Sequence, residues 1–169
     1  MRRRTFLAVG AASAATLAAA GWWSWLRKPG AVAARVLDDD ASAIVAAIVP
    51  AMLAGALPET GPARDVAIRE VVAGVDKAIS GLPPHARAEI RELFALLALA
   101  PARRAFAGVA APWSEASVDE VAAFLDRWRG SGWALKRSAY DALHQLIIAA
   151  WYGNPRSWAS IGYDGPPRL

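Results

Sequence analysis

At 169 residues, with 56% hydrophobic side chains and a mean hydropathy of +0.25, the chain is sized for one domain around one core. It has no cysteine, which excludes disulfides, cysteine-based zinc sites, covalently attached c-type haem and cysteine-ligated iron–sulfur clusters. Its net charge of +4 sits at the front: Arg2, Arg3, Arg4, Arg27 and Lys28 are five of the 19 basic residues and precede every acidic one, leaving 14 basic against 15 acidic and no excess for a nucleic-acid backbone.

Residues 1–33 have the layout of an export leader: a basic tip, an apolar run from Phe6 to Leu26 broken only by Gly, Ser and Thr, and a second basic pair at Arg27 and Lys28. Within the tip, Arg3-Arg4-Thr5-Phe6-Leu7 resembles the twin-arginine signal, in which two adjacent arginines precede a variable residue and then Phe-Leu. That resemblance implies passage of an already folded protein through the twin-arginine translocase to the periplasm. Small residues permit cleavage after Ala20 or after Ala33. The alternative is a retained anchor in the inner membrane, because the apolar run is long enough to cross a hydrocarbon core of about 30 Å and Trp22, Trp23 and Trp25 suit its interface.

Residues 34–169 read as a single helical domain. Asp38-Asp39-Asp40 caps a first helix whose apolar face is Ile44, Val45, Ile48, Val49 and Met52, with Pro50 bending or ending it. The breaker-rich segment 57–62 is a loop, and a second helix spans about Ala63 to Ile79, with an apolar stripe of Val66, Ile68, Val71, Val72, Val75 and Ile79. Pro83 or Pro84 opens a third helix, and Ile90, Leu93, Phe94, Leu96, Leu97 and Leu99 give it a face wide enough to be buried on more than one side, the mark of the central helix. Pro101 interrupts the run, leaving a short helix from Ala102 to Ala107 that stops at Gly108. Ser117-Val118-Asp119-Glu120 has the form of a capping box and starts a helix carrying Val121, Phe124, Leu125 and Trp128. The last helix, about Trp133 to Trp151, presents Leu135, Ala139, Ala142, Leu143, Leu146, Ile147 and Ala150 on one face. No strand pattern occurs, so the expected fold is all-α, a compact bundle of five to six helices.

Convergent chemistry is sparse. Ser138, Asp141 and His144 follow one another along a single helix, where they fan out side by side instead of forming a relay. His85 stands at a helix start, and two histidines in all make a histidine metal site a poor reading. A glycine-rich phosphate loop needs a strand before it, and none is present. The expectation is therefore a chain with no catalytic, cofactor or metal residues of its own.

The tail differs in composition. Trp151-Tyr152-Gly153-Asn154-Pro155-Arg156-Ser157-Trp158, then Ile161-Gly162-Tyr163-Asp164-Gly165-Pro166-Pro167, sets aromatic rings among turn residues. Trp151, Tyr152, Asn154, Pro155, Trp158, Tyr163, Gly165 and Pro166 are candidates for a partner interface, since rigid aromatics bring contact area at small entropic cost. The competing reading is that the rings only clamp the tail onto this chain's own bundle.

The same stretch, from Ala149 through Trp158, Ile161-Gly162-Tyr163 and Gly165-Pro166-Pro167, resembles the gluconate 2-dehydrogenase subunit 3 family. Val49-Pro50, Leu93-Phe94 with Leu96-Leu97, Arg103-Arg104 and Phe124 to Arg129 fit the same pattern upstream. The resemblance implies the small subunit of a membrane-associated dehydrogenase of alcohols, polyols or sugars. Its large subunit would be a flavoprotein of the glucose-methanol-choline (GMC) type that holds FAD, with a multi-haem cytochrome c subunit, carrying haem c, passing electrons on to quinone. The small subunit would escort, stabilise and export its leaderless partner, as an accessory subunit and not an enzyme. A stand-alone periplasmic enzyme, or a membrane-anchored helical packing protein with no export role, are the competing readings.

Overall fold

The computed structural model describes residues 36–158 and residue 162. Arg3, Arg4, Phe6 and Leu7 of the export motif, and Tyr163, Gly165 and Pro166 of the tail, lie outside the described residues. Among the described residues the chain is all-helical, with no strand. In order it forms α1 (Asp39–Met52), α2 (Pro62–Ser80), α3 (Pro84–Ala98), one turn α4 (Ala100–Ala102) continuing into a π-helical turn (Arg103–Ala107), α5 (Val118–Arg129), α6 (Ala134–Tyr152) and the short α7 (Pro155–Trp158).

The helix starts follow from side-chain chemistry. Asp38 Oδ1 accepts the Ala41 N–H at 2.8 Å, with Asp39 and Asp40 in the first turn against the positive end of the helix dipole. α2 and α3 each begin with a proline, whose missing N–H costs nothing where no intrahelical acceptor exists. Ser117 Oγ accepts the Glu120 N–H at 3.2 Å, half of the expected capping box. The other half is absent: the Glu120 carboxylate turns outward and accepts the Ala110 N–H at 2.6 Å, bracing the loop before α5.

The central element is α1, not α3. α1 packs against α2, α3, α5 and α6, and Ala41, Ile44, Val45, Ile48 and Val49 are all buried. α3 buries only Ile90, Phe94 and Leu97, leaving Leu96 39% exposed and, just past its end, Leu99 48% exposed. Its leucines are too many for the one face it packs with. Pro50 lies inside α1, and the helix ends two residues beyond it at Met52.

The most extensive helix pair is α2 with α6. Their backbones approach closely at Gly74, where an added Cβ would stand 2.9 Å from Ala150 Cβ and 3.3 Å from Ala150 Cα. α2 also receives the chain on entry to the bundle: Asp76 Oδ1 accepts the N–H groups of Val36 and Leu37 at 2.7 and 2.8 Å.

On the opposite side, Phe124 of α5 sits edge-on to Trp113 and Trp128, with ring centroids 5.8 and 4.8 Å apart. Both indoles donate to backbone, Trp113 Nε1 to Leu97 O at 2.8 Å and Trp128 Nε1 to Phe106 O at 2.9 Å. This aromatic cluster ties α5 to the end of α3 and to the π-helical turn. Gly108 ends that turn with φ 66°, and a Cβ there would meet Arg127 Nη2 at 2.6 Å while the same guanidinium donates to Ala107 O.

Candidate functional site

Two surfaces of the bundle carry features its own packing does not use up. The first is the tail. α6 ends at Tyr152, and Asn154 starts the short α7, its Oδ1 accepting the Arg156 N–H at 3.0 Å and its carbonyl accepting Ser157 Oγ at 2.8 Å. Asn154 Nδ2 donates to Glu70 Oε2 at 2.8 Å, and the Arg156 guanidinium grips the same carboxylate through Nε and Nη2 at 2.8 and 3.0 Å. The hydrogen bonds from Arg156 first, and from Asn154 second, hold the Glu70 carboxyl below its ordinary value against a small opposing effect of burial. The tail is thereby fastened across α2.

The tail aromatics divide. Trp151 is 2% exposed and packs in the bundle's own core. Trp158 is half-buried and folds back, its Nε1 donating to Tyr152 O at 2.8 Å. Of the candidate tail positions among the described residues, Tyr152 is 43% exposed and Pro155 is exposed, while Asn154 is half-buried.

The second surface was not anticipated as a site. A groove of about 390 Å³ opens between α3 and the first half of α6, two helices that do not pack extensively on each other. Leu93 and Leu96 form one wall, Trp133, Leu135 and Ala139 the other, with Phe106 and Trp128 contributing from the π-helical turn and α5. Phe106, Trp133 and Leu135 are 44%, 65% and 78% exposed. A small bundle seldom leaves such large apolar side chains together in water without a use for them. Leu135 was expected on the buried face of the last helix. It lies instead one turn before Ala139, the first residue of that face to be partly buried.

The rim of the groove is charged unevenly. Glu89 and Glu92 lie along the α3 side and make no ion pair or hydrogen bond among the described residues. Lys136, on the α6 side, lies 5.5 Å from the centroid of the Trp133 ring.

The sequence held a partial signal for this groove. Leu93, Leu96, Leu97 and Leu99 put more leucine on the third helical segment than one packed face can hold, and two of them, Leu93 and Leu96, line the groove. Leu135 reads as core only while the last helix is taken in isolation, and Trp133 reads only as that helix's start. The two surfaces lie at opposite ends of α6: from Leu135 to Trp151 the rise is about 24 Å.

Ser138 and Asp141 are exposed along α6 and the His144 ring stacks on Tyr140 at 5.7 Å. Among the described residues no group of three or more His, Asp or Glu side chains is placed to hold a metal ion. None of the described helices is long and apolar enough to cross a membrane, and the leader lies outside that statement. Arg103 and Arg104 both reach Ala110 O, at 3.4 and 3.5 Å, and so serve the loop that also receives Glu120.

Comparison of the chain with known proteins finds no matching family model, no matching curated protein and no matching solved structure.

Proposed function

We propose that this chain is a non-catalytic small subunit that escorts, stabilises and exports a FAD-dependent GMC-type dehydrogenase of alcohols, sugars or polyols through the twin-arginine pathway. The observation that carries the reading is the open apolar groove on a body whose own core is closed, behind a leader with Arg3-Arg4-x-Phe6-Leu7. Such a groove supports a protein that works by holding another polypeptide, and the twin-arginine motif supports travel of the pair in the folded state. The tail resemblance to the gluconate 2-dehydrogenase subunit 3 family supplies the class of partner: a flavoprotein, with a cytochrome c subunit downstream at the periplasmic face of the inner membrane. FAD and haem c belong to those partners in this reading.

Co-expression with a GMC-type flavoprotein encoded beside this gene tests it. Flavin absorbance is expected in the periplasmic fraction, associated with this chain, and is expected to disappear from that fraction when Arg3 and Arg4 are both changed to Lys. Equal export of the flavoprotein with the double substitution would overturn the escort role. Turnover of an alcohol or sugar by this chain alone, with an artificial electron acceptor, would overturn the accessory role.

A further inference from the structure

We infer that the groove between α3 and α6 is the seat of one amphipathic helix of the partner subunit, with an apolar stripe and a basic flank laid along Glu89 and Glu92. The inference rests on the escort reading for the identity of the partner, and on the groove itself for the chemistry.

The argument begins with shape. Two helices that leave a gap between them, floored by Phe106 and Trp128, offer the seat into which a third helix packs its ridge of side chains at i, i+3, i+4 and i+7. An extended strand is a poorer fit, because the walls are helical side chains with no open sheet edge to pair its backbone. Leu135 and Trp133 stand well out of the surface, where a seated helix would cover them.

Charge then selects among helices. Glu89 and Glu92 are three residues apart on one face of α3, so both project to the same rim, and neither has a cationic partner among the described residues. Across the groove the single ammonium, Lys136, lies against the Trp133 ring. The rim is therefore net negative on the side left unsatisfied, and a helix with Lys or Arg flanking its apolar stripe meets complementary charge there. A second copy of this chain is the weaker fit: the rim that would have to supply those cations holds only Lys136.

The test uses the full chain and two fluorescein-labelled helical peptides sharing a stripe of Leu and Phe, one flanked by Lys and the other by Glu at the same positions. The Lys peptide is expected to bind at least tenfold tighter by fluorescence anisotropy. Leu135→Asp is expected to weaken it at least tenfold while the circular dichroism spectrum and Tm stay as in the parent. The double substitution Glu89→Lys, Glu92→Lys is expected to reverse the preference between the peptides. Equal binding of the two peptides, or binding indifferent to Leu135→Asp, would overturn the inference.

Co-expression separates this from the escort reading. If the wild-type chain exports the flavoprotein and Leu135→Asp does so equally well, the escort role stands and the groove is not its seat. A dimer in sedimentation that Leu135→Asp abolishes, or flotation on anionic vesicles that it abolishes, assigns the groove to a second copy or to a lipid surface and overturns the inference.

Discussion

Glu70 is held by three donated hydrogen bonds, two from Arg156 and one from Asn154, and these lower its carboxyl from the ordinary value. A carboxylate whose folded value is lowered contributes stability above the unfolded value and loses it as pH falls through the folded one. The tail clasp is therefore complete from the ordinary carboxylate range upward and is released on further acidification. The Asn154 side-chain amide resonances report this directly, and their acid transition is expected to vanish in Glu70→Gln. Glu70 and Arg156 are 35% and 45% exposed, so solvent screens the pair and global stability is expected to change little. Ser117 is a second residue with a separable job. Ser117→Ala removes an N-cap acceptor and is expected to cost about 1 kcal/mol in urea unfolding. Glu120 braces a different segment through Ala110, so the loss of Ser117 leaves that loop in place.

Among elements, the α2–α6 pair depends on the absence of a side chain. Gly74→Val places branched carbon where Ala150 already stands, and the two helices must separate to admit it. The expected cost is about 1–3 kcal/mol, read as a fall in the denaturation midpoint, with the α-helical spectrum otherwise kept. Leu135→Asp is the contrasting case on the same helix. At 78% exposure it is expected to shift stability by less than about 0.5 kcal/mol. Three helix starts were legible because caps and prolines act within four residues: Asp38, Pro84 and Ser117 each mark a start that the structure keeps, while Pro62, which reads as part of a loop, is the first residue of α2. Which helix lies at the centre was not legible. The third helix is richer in leucine, but burial depends on how many long helices surround an element, and α1 packs against α2, α3, α5 and α6 while α3 has only α1 and α2 beside its own C-terminal continuation.

For the whole molecule, the described bundle leaves two surfaces open about 24 Å apart along α6, the tail rim at Tyr152 and Pro155 and the groove at Trp133 and Leu135. The tail was singled out from its aromatics, and that signal is divided in the structure: Trp151 fills the core, Trp158 bonds back to Tyr152 O, and Tyr152 remains outside. If the tail rim contributes to binding, Tyr152→Ala is expected to weaken co-purification of the exported flavoprotein severalfold without lowering Tm. Trp151→Ala is expected to destabilise the chain by about 3–5 kcal/mol whether or not a partner is present. Comparing the two by thermal melting and by pull-down separates the interface role from the clamp.

By itself the amino-acid sequence determined the helical class, the starts of the main helices and the capping at Asp38 and Ser117, because these depend on periodicity and on contacts within a turn. Only the tertiary structure decided that α1 is central, that Glu120 serves the Ala110 loop instead of its own helix, and that Leu96, Phe106, Trp133 and Leu135 form an open groove. Those outcomes depend on which helix faces are covered by residues far away in the chain. A periodic apolar stripe records that a face is able to be buried, and says nothing of whether a neighbour arrives to bury it.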